Sequence, residues 1–220
     1  NPTLRAVDSP PLRSGEPLTL TLARLLRTQC AMPFVALRKD TRERVDITEI
    51  DNPRLILHSG DCVCQLCEKP LILKAGFIVR PHFAHYSESD CDTEYKSHPE
   101  TPEHREAKIK LVEFLKSTYI EYTSAKLEKE VPIREIKRVA DILVVFPMGW
   151  RVAHEIQLAG ITIENLQERT NDYSRAGIDV VWWLGKSANT PANRAWCIET
   201  FGCCFTLNIE NIHMDEILQS

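Results

Sequence analysis

The residues whose types and spacing most clearly indicate chemistry are cysteines and histidines in the first half of the chain. Cys64 and Cys67 have the CxxC spacing of structural zinc sites, in which one tight turn supplies two thiolates. Three more candidate ligands follow them: His82, His85 and Cys91. Because zinc binds four tetrahedral nitrogen or sulfur ligands, one of the three is surplus. We expect the ion to be held by Cys64, Cys67, His85 and Cys91, with His82 as the alternate.

A hairpin is predicted within this segment, with strands at Leu71–Lys74 and Phe77–Arg80 and a turn at Gly76. The hairpin returns the chain, so that the later ligands can reach the CxxC pair. Cys62 lies two residues before Cys64, a poorer chelating position, and is expected to take no part. The segment contains few large apolar residues, and a structural zinc ion would therefore supply much of its folding energy.

A pair of carboxylates on two apolar strands indicates a second kind of metal. Val139–Phe146 and Trp150–Leu158 have the composition of strands, and the turn between them is centred on Met148. Asp141 and Glu155 are equally distant from Met148, which places them opposite each other with Cβ atoms about 4.5–5.5 Å apart. Two carboxylates at that distance repel unless a cation lies between them or one is protonated. Mg²⁺ or Mn²⁺ would satisfy the pair together with water and phosphate oxygens.

The same carboxylates could instead face solvent, because antiparallel sheets are often wet on one side. Leu143 and Val145 share the face of Asp141, however, so that this face is at least partly buried. Gln157 lies two residues after Glu155 and projects on the same face. The spacing alone leaves both interpretations open.

Three segments are predicted along the chain. Residues 1–32 are rich in Pro, Ser and Arg and are expected to be a weakly ordered extension. Residues 33–95 form a β-rich zinc-binding module, and residues 96–220 form an α/β (α+β) domain with the element order αββαβ. Beyond the two strands above, the predicted elements of that domain are helices from Thr101 to about Ser117, from Thr162 to Gly177 and near Ala192–Thr200, a buried strand at Asp179–Leu184 and a last strand at Cys204–Asn208.

Composition and charge limit the possible classes of function. The net charge is −4 and the pI is about 6.0, whereas a protein that coats nucleic acid would be basic. An enzyme that contacts DNA around one phosphate needs only a local basic patch. No apolar run approaches the ~18–20 residues of a membrane span, and we do not expect Pro17–Leu26, which is interrupted by Arg24, to be a signal peptide. We expect a cytoplasmic protein without membrane contact, whose clustered cysteines bind metal.

Several motifs, taken in order, resemble those of a known family. They are Cys64-x2-Cys67, Arg80-Pro81-His82-Phe83-Ala84-His85 followed by Cys91, Pro102-Glu103-His104-Arg105, Arg138-Val139-Ala140-Asp141, Glu155-Ile156-Gln157, and Glu168-Arg169-Thr170 with Tyr173, Gly177 and Trp183. Over about residues 33–185, this order resembles the competence protein CoiA family, whose nuclease-like domain belongs with the PD-(D/E)xK phosphodiesterases. The resemblance implies a restriction-endonuclease-like core, a mixed sheet flanked by helices, preceded by the zinc-binding module.

The resemblance also implies roles for individual residues. Asp141 and Glu155 would hold Mg²⁺ or Mn²⁺, with the Ile156 carbonyl as a third ligand. Glu103 or His104 would approach this site from the N-terminus of the first helix.

Gln157 stands where the wider superfamily has a lysine. A glutamine can orient the attacking water but supplies no positive charge. Arg169 is the candidate for that charge, since an arginine can pair bidentately with phosphate, and Tyr173 lies one turn later on the same helix.

Structural roles remain open for several of these residues. His104 could simply pack against the sheet edge, and Tyr173 could be a core residue whose hydroxyl is satisfied locally. His154 points to the other face of its strand and is expected to be structural. Trp182 and Trp183 are expected to lie in the core rather than to stack on bases.

The function implied by the resemblance is divalent-metal-dependent hydrolysis of DNA phosphodiesters in DNA uptake, recombination or defence, with a recombination or defence protein as a partner. The alternative is a non-catalytic DNA-binding or protein-interaction module that keeps the nuclease fold, which the negative charge and Gln157 favour. A third reading is a structural zinc protein without nucleic acid. Metal-dependent cleavage distinguishes the first from the others, and salt-dependent DNA binding distinguishes the second from the third.

Overall fold

The computed structural model describes residues 33–76, 80–86, 91 and 101–209, together with the backbone of 213–218. The described residues belong to one compact unit, which spans residues 31–220. The predicted N-terminal extension, residues 1–32, lies outside the described residues. No helix in the described part of the chain has the length and apolar character needed to cross a membrane.

The part of the chain before residue 91 consists of short strands around a small apolar core. Its strands are β1 (Val35–Arg38), β2 (Arg44–Asp46), β3 (Cys62–Val63), β4 (Leu71–Lys74) and β5 (His82–His85). The first three form an antiparallel sheet in the order β2-β1-β3, and β4 pairs antiparallel with β5. Two short 3₁₀ helices, Ile47–Glu49 and Pro53–Leu55, lie between β2 and β3. Phe34, Leu71 and Phe83 are buried in the shared core.

The second strand of the β4 hairpin lies later in the chain than predicted: the sequence placed it at Phe77–Arg80, whereas the structure places it at β5. The partner of β4 is β5 itself, with Leu71 opposite His85; residues 77–79 lie outside the described residues. Phe83 accounts for this pairing, because its side chain is buried and its backbone amide donates to the Pro33 carbonyl at 2.9 Å. The two candidate histidines therefore lie on the hairpin rather than after it.

From residue 101 onward the chain forms a mixed six-stranded sheet with helices on both faces. Its helices are α1 (Pro102–Thr118), α2 (Ile163–Arg175) and α3 (Pro191–Phe201), and its strands are β6 (Lys126–Ile133), β7 (Arg138–Val145), β8 (Arg151–Gln157), β9 (Asp179–Leu184), β10 (Cys203–Asn208) and β11 (His213–Leu218). The strand order is β11-β10-β9-β8-β7-β6. β8, β9 and β10 are parallel neighbours, and the other neighbours are antiparallel. This architecture confirms the predicted class, a mixed sheet flanked by helices and preceded by a small β-rich module.

Successive side chains of a strand point to opposite faces of the sheet, so one sheet can pack against helices on both faces. On β7, Ile142 packs in the cluster that contains Leu111 of α1, whereas the next residue, Leu143, packs in the cluster that contains Leu166 of α2. The adjacent Trp182–Trp183 of β9 are likewise buried on opposite faces. Both tryptophans are thus core residues, as predicted.

Two strands of the sheet are missing from the sequence prediction. β6 lies between α1 and β7, and β11 pairs with β10, which was expected to be the last strand. β6 is an edge strand with many charged residues, and its Lys129 and Glu130 are buried. The residues that neutralise them are distant in sequence, so no local pattern marks this segment as a strand. The three helices lie where predicted, and the hydroxyls of Thr101 and Thr162 cap α1 and α2.

Candidate functional site

Four ligand-type side chains come together beside the β4–β5 hairpin. The sulfur atoms and imidazole nitrogen of Cys64, Cys67, His85 and Cys91 all lie within 4.8 Å of one another. The Sγ of Cys67 is 3.3 Å from Nε2 of His85, and the CxxC turn is closed by the Glu68 amide, which donates to the Cys64 carbonyl at 3.0 Å. We call these four residues the Cys/His cluster. They could hold a metal ion, and three thiols with one imidazole is a combination that structural zinc sites use.

The cluster consists of the four residues that the sequence favoured. His82 lies outside it, with Nδ1 2.9 Å from the Arg80 carbonyl oxygen, and Cys62 is buried in the apolar core. Burial raises the pKa of the Cys64 thiol and lowers the pKa of His85. A neutral imidazole is the form that binds metal, and a bound cation would offset the cost of burying a thiolate.

Asp141 and Glu155 lie next to each other where β7 and β8 separate. The β7–β8 ladder pairs Ile142 with His154, and the next position in this register pairs Asp141 with Glu155. The equal distance of the two carboxylates from Met148 predicts this register. We call Asp141 and Glu155 the acidic pair.

The carboxylate of Asp141 takes the place of a backbone acceptor. If the ladder continued, the amide of Ile156 would donate to the carbonyl of Ala140. It donates instead to Oδ2 of Asp141 at 2.9 Å, and the amide of Asp141 donates to Oε1 of Glu155 at 3.3 Å. The backbone at the end of the ladder therefore fixes the positions of both carboxylates.

Helix α2 supplies the partners of Glu155, which is fully buried. Oε1 of Glu155 accepts from the Tyr173 hydroxyl at 2.6 Å, and Oε2 forms an ion pair with the Arg169 guanidinium. Nη1 of Arg169 donates to Oε1 of Gln157 at 3.1 Å, and its guanidinium carbon lies 4.8 Å from the centre of the Trp182 ring. Arg169 and Tyr173 are one turn apart, so a single helix face brings both to the acidic pair.

His104 reaches the acidic pair from the N-terminus of α1. Its Nε2 atom is 3.1 Å from Oδ2 of Asp141, and its side chain is 24% exposed. Glu103 is exposed, and its carboxylate interacts with the cap residue Thr101. Of the two residues proposed from the first helix, the structure therefore brings His104 to the pair.

The surroundings separate the pKa values of the acidic pair. Burial disfavours ionisation of Asp141, but the charge and hydrogen bond of His104 and the charge of Lys108 outweigh it and hold the pKa of Asp141 below its usual range. For Glu155, burial outweighs the opposite effect of Arg169, and the pKa of Glu155 is raised. Asp141 is therefore the member of the pair that is firmly ionised at neutral pH.

His154 lies on the other face of β8, as the sequence predicts. Its Nδ1 atom accepts from Nε1 of Trp183 at 3.0 Å, and its Nε2 atom lies 3.0 Å from the Tyr122 hydroxyl oxygen. Burial lowers the pKa of His154 to about 3, so that the ring is neutral and belongs to the core.

Two charged residues near the acidic pair escaped the sequence reasoning. Nζ of Lys108 on α1 is 2.7 Å from Oε1 of Glu130 on β6, and both side chains are buried. Lys108 lies one helical turn after His104 and on the side of α1 that also buries Leu111. The position of Lys108 on the helix could have indicated that it lies near the acidic pair. Nothing in the local sequence of Glu130 indicated that it would pair with Lys108.

Comparison with known families matches both parts of the chain. Residues 100–217, more than half of the chain, match the family model of the competence protein CoiA nuclease-like domain. The chain belongs to the CoiA family. Residues 46–94 match the model of the CoiA N-terminal domain. The CoiA nuclease-like domain thus corresponds to the six-stranded sheet with its helices, and the CoiA N-terminal domain includes the Cys/His cluster.

Competence protein CoiA of Bacillus subtilis (strain 168) is 32% identical to the chain over 124 residues. These residues make up 56% of the chain and 31% of that protein, so the matched segment covers about a third of the CoiA relative. No solved structure matches the chain.

Proposed function

We propose that the chain hydrolyses phosphodiester bonds of DNA with the help of a divalent metal ion. The observation that carries the proposal is the acidic pair, held side by side at the end of the β7–β8 ladder with His104 3.1 Å from Asp141. The match to a nuclease-like domain supports the same conclusion.

The oxygen atoms at this position suit Mg²⁺ or Mn²⁺. Both ions prefer oxygen ligands and are commonly held by one or two carboxylates together with water and substrate phosphate. Asp141 and Glu155 would hold the ion, with the Ile156 carbonyl as a further ligand. The bound ion would lower the pKa of a water molecule and polarise the phosphate.

The remaining residues would position the substrate and balance its charge. Arg169 already contacts Glu155 and Gln157, and its guanidinium could turn to pair with a phosphate oxygen. Tyr173 would keep Glu155 in place through the 2.6 Å hydrogen bond to Oε1. His104, which is partly exposed beside Asp141, could exchange a proton with water or the leaving group.

We also propose that the Cys/His cluster holds a structural Zn²⁺ ion. Four protein ligands complete a tetrahedral zinc site and leave no open position for catalysis. The name of the relative suggests competence as a setting, and we propose a cytoplasmic role in DNA uptake, recombination or defence, with a protein partner from one of these processes.

Incubation with labelled single- and double-stranded DNA in Mg²⁺, Mn²⁺ or EDTA tests the nuclease proposal. We expect cleavage with either metal ion and none in EDTA. Asp141→Asn should not cleave, whereas the exposed Asp51→Asn should cleave like the wild type and controls for the loss of one charge. Intact DNA of both kinds under every metal condition would contradict the proposal.

A non-catalytic DNA-binding or protein-interaction module is the second candidate. The specific observation in its favour is that Arg169 forms an ion pair with Glu155 and also contacts Gln157, a residue that supplies no charge. Such a module would bind DNA with an affinity that falls steeply with salt and would leave the DNA intact.

A further inference from the structure

We propose that Lys108 and Glu130 are positioning residues that couple the Cys/His cluster to the acidic pair. Neither residue lies within the pair or the cluster. The coupling deepens the proposed nuclease function and rests on it for its activity measurement, while the two other measurements below do not depend on cleavage.

Glu130 connects the two parts of the chain. Its carboxylate accepts from the backbone amides of Phe34 and Val35 at 3.0 and 3.2 Å, and from Nζ of Lys108 at 2.7 Å. The amides belong to the segment at β1, whereas Lys108 belongs to α1. A buried carboxylate with three donors from two elements fixes the distance between those elements.

The backbone of Glu130 is also unusual. Its φ angle is 55°, in the left-handed region that side chains with a Cβ atom rarely adopt. Along the β6–β7 ladder, Lys129 pairs with Ile142 and Val131 pairs with Ala140, so that Glu130 occupies the position opposite Asp141. Strained conformations persist where surrounding contacts determine them, and they concentrate at functional sites.

Gln65 links Glu130 to the CxxC turn. Gln65 lies between Cys64 and Cys67, and its Nε2 atom donates to the backbone carbonyl of Glu130 at 3.1 Å. The turn that would wrap around the zinc ion therefore contacts the strained residue of β6 directly. Zinc fixes the conformation of such a turn, so its loss would remove one support of Glu130.

Lys108 extends the connection to the acidic pair. It lies four residues after His104, on the same side of α1, and His104 contacts Asp141 at 3.1 Å. A displacement of Lys108 would therefore shift the helix end that carries His104.

The buried ion pair is better explained by positioning than by stability. Replacing a buried ion pair by apolar residues is often neutral or stabilising, so stability alone gives little reason to keep one. A fixed, directional contact at the junction of α1, β1 and β6 does give a reason, because apolar contacts would let these elements slide.

Lys108→Met, which keeps the length of the side chain but removes the charge, tests the coupling. Zinc transfer to an excess of a coloured chelator should become faster by about 2- to 30-fold, the range for residues that couple two sites. The ring resonance of His104 in a histidine-labelled sample, assigned by its loss in His104→Gln, should shift. In cleavage, kcat should fall while KM changes little, because the side chain of Lys108 is buried and faces Glu130 rather than solvent.

Three further variants complete the design. Lys110→Met removes a lysine from the same helix, where it pairs with Glu106 at 3.5 Å near the surface, and should match the wild type. Lys108→Arg should restore most of the lost function. Glu130→Gln keeps the shape of the side chain but not its charge. It should show the changes expected of Lys108→Met, and it replaces that variant in the test if Lys108→Met does not fold.

The outcomes separate the coupling from the proposed function. A folded Lys108→Met or Glu130→Gln protein with unchanged zinc transfer and an unchanged His104 resonance would overturn the coupling, whatever its activity. A wild type that cleaves no DNA would contradict the nuclease proposal, while the zinc and resonance measurements would still decide whether the two sites are coupled.

Discussion

Each carboxylate of the acidic pair has its own basic partner. His104 lies beside Asp141, and Arg169 forms an ion pair with Glu155. Opposite charges at this distance stabilise the ionised form of a carboxylate and reduce the repulsion between the two. The pair can therefore exist in the folded protein before any metal ion binds.

This pairing determines how substitutions in the acidic pair affect stability. Glu155→Gln should abolish cleavage and lower the free energy of unfolding by about 3–5 kcal/mol, because it leaves the charge of Arg169 poorly compensated in a buried position. Asp141→Asn should also abolish cleavage, but it should lower the free energy of unfolding less, since its partner His104 is partly exposed. Urea unfolding measures the loss of stability. Fluorescence-detected DNA binding should be retained in both variants, which shows that cleavage is lost without loss of affinity.

The sequence alone predicts the opposite effect on stability, because two facing carboxylates without partners would repel. Increased stability in both variants would show that repulsion dominates and that the ion pairs contribute little.

Arg169 is the residue that we expect to stabilise charge in the transition state. Arg169→Ala should slow cleavage about 10²–10³-fold, the usual cost of removing one electrostatic stabiliser, with a far smaller effect on DNA affinity. Single-turnover cleavage with saturating enzyme measures the chemical step. A normal rate in Arg169→Ala would exclude this role.

Gln157 provides a second test of the same cation. The sequence predicts that Gln157→Lys is tolerated, since it restores the lysine of the wider superfamily. In the structure, however, a lysine there would face Nη1 of Arg169, which now donates to Gln157 at 3.1 Å. Gln157→Lys should therefore lower the rate, and the double variant with Arg169→Gln should recover part of it. If Gln157→Lys alone cleaves faster, Arg169 does not supply the charge.

At the scale of elements, the N-terminus of α1 connects helix stability to the site. The Thr101 hydroxyl accepts from the His104 amide at 3.2 Å, so the cap bonds to the residue that contacts Asp141. Thr101→Val should cost about 1 kcal/mol of stability, as the loss of a cap does. It should also reduce cleavage on the order of tenfold, because small displacements of a contacting group slow catalysis.

Thr190 offers a matched control for this prediction. Its hydroxyl caps α3 in the same way, accepting from the Asn193 amide at 3.2 Å. Thr190→Val should lose a similar amount of stability in thermal unfolding while keeping the cleavage rate. Equal rates in the two variants would indicate that the cap of α1 has no influence on His104.

The elements of the nuclease-like domain that carry local signals were predictable from the sequence. Caps at Thr101 and Thr162 mark two helices, and the symmetric turn around Met148 gives the register of the acidic pair. The apolar strand β9 was predicted with its bounds unchanged. Periodicity and turn chemistry are local, so one sequence contains them.

Features that depend on distant residues were not predictable. β6 is stabilised as an edge strand by Lys129, which pairs with Asp46 at 3.0 Å, and by Glu130, which contacts β1. The partner strand of β4 was misplaced, and the strand observed there, β5, is held by a backbone hydrogen bond from Phe83 to Pro33, which is distant in sequence. In both cases a contact between residues far apart in sequence determines the local structure.

At the scale of the whole molecule, the small β-rich module that precedes the nuclease-like domain covers the β6 edge of the six-stranded sheet. Arg44 donates to the carbonyl of Lys129, and Gln65 donates to the carbonyl of Glu130, so side chains of this module satisfy acceptors of β6. An uncovered edge strand would present these groups to another chain. Unfolding of the module would therefore expose the sheet edge as well as the small core of the module itself.

Zinc binding can be predicted at this scale, because the ion would hold the module together. The purified protein should contain about one zinc ion per chain, as one complete set of four ligands requires. The double variant Cys64→Ser with Cys67→Ser should lose the zinc and unfold the module, because the binding energy of such an ion is folding energy. Elemental analysis measures the loss of zinc, and limited proteolysis measures the unfolding of the module. Exposure of the β6 edge should also make the variant aggregate.

Cys62→Ser is the matched control: Cys62 is buried nearby but outside the Cys/His cluster, so this variant should be less stable yet keep its zinc. A wild type that is well folded and free of metal would contradict the prediction.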